Sequence, residues 1–207
     1  MRLFVCTTTA MVMLWAVPAI AKEGLYIGGS LALTYIGAKT DRGDQFDEEY
    51  FDDLKAGPNF GLRVGWRLND YFAAEAALTR SYHNTDFLGA ERQVLEGQSV
   101  ILKIIAPDKF LMGYHEGRYR LPQALGGMEP YFLIGVGRFQ IGDSGGTYYK
   151  GPGIEYGLGL DLYLTPAVSV NAGLTGGTII FTSGKFHGER DVIAFVTSYD
   201  IGIAYHF

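Results

Sequence analysis

Cysteine is almost missing from this chain of 207 residues, since Cys6 is the only one and no disulfide can form within one molecule. Charge is sparse too, with 19% charged residues and a formal net charge of −5. This acidity, without any cluster of lysine and arginine, excludes a general nucleic-acid binder. Beyond residue 21, no apolar run reaches the roughly 20 residues that a membrane-spanning helix needs.

Motifs of common catalytic and binding sites are missing as well. The sequence contains no metal-site spacing of His, Cys, Asp and Glu, and no glycine loop of the kind that cradles phosphate. The acidic stretch from Asp41 to Asp53 lacks the Asp-x-Asp-x-Asp-Gly pattern of a calcium loop, so we interpret it as solvated. We therefore predict no catalytic residues, no cofactor and no metal.

The amino terminus has the three parts of a secretory signal peptide. Arg2 supplies a positive charge, Leu3 to Val17 is apolar, and Ala19-Ile20-Ala21 is a small-x-small cleavage site. This pattern predicts a signal peptide over residues 1–21 and a single mature domain over residues 22–207. Cys6 would be removed with the signal peptide, so the exported domain would need another source of stability than disulfides.

Glycine and aromatic residues are abundant, with 29 Gly, 14 Tyr and 13 Phe, and this composition favours an all-β chain. Apolar residues alternate with small or polar ones along many segments, as they do in strands with two different faces. Eight segments of this kind are predicted: Gly24–Ile36, Asn59–Leu68, Tyr71–Tyr82, one between Lys109 and Leu121, Pro130–Ile141, Ile154–Leu164, Val168–Phe181 and Ala194–Phe207.

Short and long connections alternate between these segments. The predicted turns are 68–71, 122–129 and 164–167, and the predicted long loops are 37–58, 83–108, 142–153 and 182–192. This alternation is typical of an outer-membrane barrel, whose short turns face the periplasm. The strands of a soluble lipocalin-like barrel also alternate between apolar and polar residues, but their apolar face is turned inward. Aromatic residues near the predicted strand ends favour the membrane barrel, because they would form interfacial girdles. Those for the turn end are Trp66, Tyr71, Phe72, Tyr131, Tyr205 and Phe207, and those for the loop end are Tyr35, Tyr82, Phe139, Phe181 and Phe195.

Three short motifs and the carboxy terminus carry a resemblance to a known family. They are Leu25–Ser30, Glu129–Gly137, Gly157–Asp161 and Tyr205-His206-Phe207. With them the chain resembles the small eight-stranded outer-membrane β-barrels of the OmpA and OmpX type, often labelled porin-like. The resemblance implies an eight-stranded, antiparallel, up-and-down transmembrane β-barrel in the cell outer membrane of a Gram-negative bacterium. It also implies outer-membrane lipid, lipopolysaccharide and the barrel-assembly machinery as partners, with a carboxy-terminal assembly signal formed by Tyr199, Ile201, Ile203, Tyr205 and Phe207.

The polar faces of the predicted strands would line the interior of such a barrel. Because isolated charges in a narrow lumen are very costly, we expect opposite charges to pair there. The resulting structural network is the preferred interpretation, and a narrow passive porin is an alternative. The predicted members of the network are Arg63, Arg67, Glu75, Glu116, Arg118, Arg120, Arg138, Glu155, Asp161 and Asp200.

The predicted function is that of a non-enzymatic barrel with a structural role, or with surface interactions through its external loops and an unidentified ligand. The other alternative is an enzyme that modifies lipid A or phospholipid. Ser81, His83 and Glu75 share one face of the third predicted strand, which would permit base-assisted attack by Ser81 if His83 reached back toward it. Their order matches no hydrolase motif.

Overall fold

The computed structural model describes residues 24–40, 54, 56–84, 92–106, 127–143, 146–181, 183–184 and 192–207. No helix within these ranges is long and apolar enough to cross a membrane. The predicted signal peptide and the acidic stretch from Asp41 to Asp53 lie outside the described residues. The strands are β1 (Gly24–Thr40), β2 (Gly57–Arg67), β3 (Phe72–Asn84), β4 (Arg92–Ile105), β5 (Met128–Asp143), β6 (Gly146–Thr165), β7 (Val168–Phe181), β8 (Ser183–Gly184) and β9 (Val192–His206).

Eight of these strands close into a ring of antiparallel pairs. Each strand from β1 to β7 pairs with the next, β7 pairs with β9, and β9 pairs with β1, while the two residues of β8 only extend the edge of β6. A row of paired residues that starts at Gly28 returns to β1 at Ala38, ten residues further on. Such a stagger tilts strands by about 35–45° from the barrel axis. The predicted eight-stranded antiparallel barrel is confirmed.

The barrel has two different ends. At the turn end, β2 connects to β3 and β6 to β7, and β1 begins beside the end of β9. Oδ1 of Asn69 accepts hydrogen bonds from the backbone N–H groups of Tyr71 (2.8 Å) and Phe72 (2.9 Å). Oγ1 of Thr165 accepts hydrogen bonds from the backbone N–H groups of Ala167 (3.2 Å) and Val168 (3.0 Å). A local side chain therefore fixes each of the two turns. The opposite end, where β1 leads to β2, is called the loop end below.

Alternation along the strands produces an apolar outer wall. Leu62, Val136 and Ile201 are each more than 60% exposed, and large apolar side chains point outward from every strand of the ring. A continuous apolar wall of this size suits lipid as its solvent and not water. The predicted faces of the strands at β1, β2, β3, β6, β7 and β9 are confirmed.

The fourth strand lies elsewhere than the sequence pattern predicts. It runs over Arg92–Ile105, inside the stretch 83–108 that was predicted to be a loop. The predicted segment between Lys109 and Leu121 lies wholly outside the described residues. The alternation fails in β4 because Ile101 and Ile105 point into the barrel while Val100, Leu102 and Ile104 point outward, which makes both faces apolar.

The two faces of β5 are reversed relative to the prediction. Tyr131 and Phe139 are buried in the interior, whereas Ile134, Val136 and Arg138 are exposed on the outer wall. Tyr131 and Phe139 are therefore not part of an aromatic girdle, and the same correction applies to Phe181 at the end of β7. The predicted loop 142–153 is also wrong, because only residues 144–145 separate β5 from β6. The faces of β5 were misassigned because its interior face is itself apolar, and the loop was predicted because the stretch 142–153 is rich in glycine.

Gly65 lets an interior tyrosine lie flat against β2. A Cβ atom at this position would lie 2.2 Å from Cζ of Tyr26 and 2.5 Å from its hydroxyl oxygen. Tyr26 has little freedom to move, because its hydroxyl donates a hydrogen bond of 2.5 Å to Glu75. Gly29 is the matched control, since its Cβ would meet nothing closer than 3.7 Å.

We expect Gly65→Ala to lower the free energy of unfolding by about 1–3 kcal/mol, the usual cost of overpacking. Gly29→Ala should be neutral or slightly stabilising, because alanine loses less conformational entropy than glycine in a strand. Urea titrations that follow the folded and unfolded bands on unheated gels measure both variants. Equal midpoints for the two variants would contradict the close approach of Tyr26.

Candidate functional site

The candidate functional site is the barrel interior, and its turn end is closed by a buried ion pair. Arg67 and Glu129 are 3% and 1% exposed, and Nη1 of Arg67 lies 2.6 Å from Oε2 of Glu129. A second bond of 3.2 Å joins Nη2 to Oε1, which makes the pair bidentate. Nη1 also donates to the hydroxyl of Tyr163 at 2.9 Å, and the guanidinium donates to the carbonyls of Asn69 and Asp70 in the turn. The guanidinium thus connects the interior to the β2–β3 turn.

A second ion pair lies beside the first. Nζ of Lys103 on β4 contacts Oδ2 of Asp161 on β6, and both residues are buried. The same ammonium lies 3.8 Å from the centroid of the Tyr131 ring, which is within the range of a cation–π interaction. Lys103 therefore connects three strands across the lumen. Its contacts with Asp161 and Tyr131 offset the free-energy cost of removing its charge from water.

Histidine and tyrosine rings fill the remaining space at the turn end. The ring of His206 lies between those of Tyr26 and Tyr163, with centroid distances of 5.2 Å and 5.1 Å. Nε2 of His206 is 2.9 Å from the hydroxyl oxygen of Ser169, so its polar atom is satisfied inside the barrel. Among the described residues, this stack and the two ion pairs fill the lumen at the turn end.

A polar cavity of about 110 Å³ lies above this closure. Arg63, Glu75, Glu155 and Asp200 line it, and Nη2 of Arg63 donates to the amide oxygen of Asn171 at 2.6 Å. Nε of Arg63 and Oδ1 of Asn59 are buried without a hydrogen-bond partner among the described residues. The cavity is polar and roomy enough to hold ordered water.

A large apolar cluster lies at the loop end of the interior, beside the buried polar side chains of Thr34, Ser81, His83 and Gln93. Ten buried residues from six strands and the β1–β2 connection pack into one cluster, and Leu54, which contributes from that connection, is 6% exposed. The cluster is closely packed, since Cβ atoms added at Gly97 and Gly153 would each lie 2.7 Å from a ring atom of Phe139. The cavity is therefore closed on both sides, by charges below and by apolar side chains above. The members are Ile36, Leu54, Leu95, Phe139, Ile141, Tyr149, Ile179, Phe181, Val192 and Ala194.

Six of the predicted network residues point into the interior as expected: Arg63, Arg67, Glu75, Glu155, Asp161 and Asp200. Arg138 does not, because the reversed faces of β5 place it on the outer wall. Glu116, Arg118 and Arg120 lie outside the described residues.

The sequence reasoning missed Lys103 and Glu129, although each forms half of a buried ion pair. Both were assigned to connections instead of strands. The available signal was the charge of Lys103 within an otherwise apolar run, which marks a side chain that must find a partner inside the barrel.

Ser81 and His83 do come together, with 2.9 Å between Oγ and Nε2, but Glu75 cannot complete a triad with them. Glu75 and His83 are eight residues apart on β3, or about 26 Å at 3.3 Å per residue. Ser81 and His83 are also 1% and 0% exposed on the interior face, away from the lipid. Within the described ranges, no group of three His, Cys, Asp or Glu residues is arranged to hold a metal ion.

The predicted assembly-signal residues lie on the outer wall of the closing strand. Tyr199, Ile201 and Ile203 are exposed there, and the rings of Tyr205 and Phe207 contact each other edge to face at 5.0 Å. The N–H of Phe207 donates to the carbonyl of Leu25 at 2.9 Å, which continues the ladder between β9 and β1. Their role as an assembly signal stays a prediction.

A closed antiparallel ring with a lipid-compatible outer wall and a packed polar interior defines a transmembrane β-barrel. The chain belongs to the outer membrane protein beta-barrel domain family, which matches residues 4–207. The family places the protein in the outer membrane.

Solved structures of other barrels resemble this one in fold. Neisserial surface protein A superposes with a TM-score of 0.55 at 15% identity, covering 89% of this chain and 97% of that one. The outer membrane protein OprG from Pseudomonas aeruginosa superposes with a TM-score of 0.50 at 16% identity, and the match covers 92% of this chain and 99% of that one. At these identities the likeness shows the fold alone. No curated protein sequence matches the chain.

We expect Glu129→Gln to destabilise the barrel by about 3–5 kcal/mol, because the variant leaves the buried guanidinium of Arg67 without its counter-charge. Glu96→Gln is the matched control, since Glu96 forms an ion pair with Arg80 of 3.3 Å on the outer wall, where the two side chains are 38% and 55% exposed. The control should lower the free energy of unfolding by no more than about 1 kcal/mol. Urea unfolding in detergent measures both, and a smaller loss for Glu129→Gln than for Glu96→Gln would show that the turn end is open to water.

Proposed function

We propose that this protein is a non-enzymatic, non-conducting outer-membrane barrel that serves a structural role or interacts with a ligand at the cell surface. The observation that carries the proposal is the closure of the lumen at both ends. An eight-stranded barrel is just wide enough for side chains to fill it, and the charged and apolar closures described above do so. The interior is thus a source of stability, and contacts with other molecules are left to the outer wall and the loop end.

A passive channel is disfavoured by the same closures. A permeating ion would have to separate Arg67 from Glu129, or Lys103 from Asp161, and then pass the apolar cluster around Phe139 and Phe181. Disrupting a buried ion pair costs several kcal/mol, and an apolar constriction excludes ions by dewetting.

We expect the refolded protein to show no discrete conductance steps in planar bilayers, since no continuous aqueous path crosses the closures. A wide porin in the same lipid provides the positive control, and an unheated gel of the reconstituted sample verifies that the barrel is folded. Stable, uniform steps that disappear when the protein is omitted would contradict the proposal and favour the narrow passive porin.

A lipid-modifying enzyme is the second candidate, and the contact between Ser81 and His83 is the observation that favours it. Two observations oppose it: Glu75, the predicted acid, lies too far along β3 to orient His83, and the pair points away from the membrane. A nucleophile needs both a base and access to its substrate.

We expect lipid A from cells that produce the protein to have the same mass spectrum as lipid A from cells that lack it. Ser81→Ala and His83→Ala should therefore leave the spectrum unchanged. A loss of acyl chains or phosphate in producing cells, abolished by either substitution, would establish the enzyme instead. If the change persisted in both variants, it would arise from another site.

A further inference from the structure

Four cationic residues lie together on the outer wall at the loop end of β3, β4, β5 and β6. Arg80 is paired in register with Glu96, Glu96 with Gln140, and Gln140 with Lys150, so these four form one row across four strands. Arg138 lies opposite Gln98, one row nearer the turn end, and Arg92 lies further toward the loop end. The outer basic patch is defined as Arg80, Arg92, Arg138 and Lys150.

Tyr82 and Glu96 hold part of the patch in place. The guanidinium carbons of Arg80 and Arg92 lie 5.4 Å and 5.7 Å from the centroid of the Tyr82 ring. Glu96 accepts contacts from Nε of Arg80 at 3.3 Å and from the Gln140 amide at 2.7 Å. Because Glu96 engages Nε, the two terminal nitrogens of Arg80 remain available to bind an anion.

Two other cations of the patch have no acidic partner of this kind. Arg138 and Lys150 are exposed, and neither forms an ion pair with any residue that the structure describes. The patch therefore carries a net positive charge, since Glu96 is its only carboxylate within the described ranges.

The height of the patch matches the upper boundary of the apolar band. From Phe72, near the turn end, to Arg80 is eight residues of β3, or about 26 Å along the strand. At a tilt of about 40° this corresponds to roughly 20 Å along the barrel axis, close to the height of about 25 Å typical of the apolar band. Arg and Lys on the lipid face cost about 2–4 kcal/mol at the midplane but about 0–1 kcal/mol near the interface.

The patch occupies one side of the barrel. At the loop end of β7 and β9, the described outward side chains are uncharged and include Thr178, Phe195 and Thr197. An open groove on the outer wall begins at Arg80 and Glu96, has Leu62 and Leu78 on its turn-end side, and continues across β2, β1, β9 and β7 to β6 between mostly apolar side chains. Cations above an apolar groove fit a molecule with an anionic head and an apolar tail.

We propose that the outer basic patch binds the phosphate of a phosphorylated glycolipid in the outer leaflet, with an acyl chain of that lipid in the groove below. A guanidinium group carries the opposite charge to phosphate and can bind it through two parallel hydrogen bonds. The proposal rests on the proposed function, because it requires the loop end to face the cell surface.

Native mass spectrometry of the folded protein in detergent tests the proposal with three added probes: bisphosphorylated lipid A, chemically dephosphorylated lipid A, and inorganic phosphate. The test variant is Arg80→Gln with Arg138→Gln, and the matched control is Arg80→Lys with Arg138→Lys, which retains both charges. If the glutamine pair fails to fold on unheated gels, Arg138→Gln alone replaces it, because Arg138 takes part in no described ion pair.

The wild-type protein should retain bisphosphorylated lipid A at least about tenfold more strongly than either the dephosphorylated form or inorganic phosphate. The glutamine pair should lose about tenfold or more of this affinity, as expected for losing hydrogen bonds to a charged group, and the lysine pair should lose less. Equal retention of both lipids, or unchanged retention by the folded glutamine variant, would overturn the proposal. Displacement of lipid A by equimolar inorganic phosphate would also overturn it. A change in the mass of the bound lipid would instead refute the non-enzymatic function and leave the binding site standing.

Discussion

The structure depends on one constraint, which is that lipid offers no hydrogen bonds to a peptide backbone. Every strand that crosses the membrane must therefore find partners on both sides, and only a closed ring provides them. The pairing of β9 with β1 completes this ring over fifteen residue pairs, from Tyr26 with His206 to Thr40 with Val192. Closure also determines how the interior is built, because eight strands with a stagger of ten residues enclose a lumen that side chains must fill.

The interior is filled in two different ways along its length. At the turn end, ion pairs and stacked rings connect strands that are distant in sequence, as between Arg67 and Glu129. At the loop end, aliphatic and aromatic side chains around Ile141 and Phe181 pack as they would in a soluble core. A buried ion pair requires one geometry, whereas apolar packing tolerates several, so the turn end is the part that specifies the register of the strands. The polar cavity lies where the two kinds of packing meet.

Sequence patterns predicted the fold wherever the two faces of a strand differ in polarity. In β2, the arginines and glycines opposite Leu62 and Trp66 made the faces unambiguous, and Arg63 and Arg67 were assigned to the interior correctly. In β5, and at Ile101 and Ile105 of β4, the interior side chains are themselves apolar, so hydrophobicity could not distinguish lumen from lipid. Arg138 was misassigned for that reason. The partners of Lys103 and Glu129 depend on register between strands, which a local pattern does not contain.

The unequal lengths of the strands make the rim of the barrel uneven at the loop end. β2 has 11 residues, whereas β6 has 20 and forms a continuous hairpin with the 16 residues of β5. Asn59 of β2 and Ile141 of β5 lie in one row of paired residues, and the stagger raises this row by roughly 10 Å along the axis between the two strands, so the hairpin extends about that much further than β2. One side of the rim is thus a hydrogen-bonded blade. Backbone held in a ladder is a poor protease substrate, so we expect this blade to resist proteolysis.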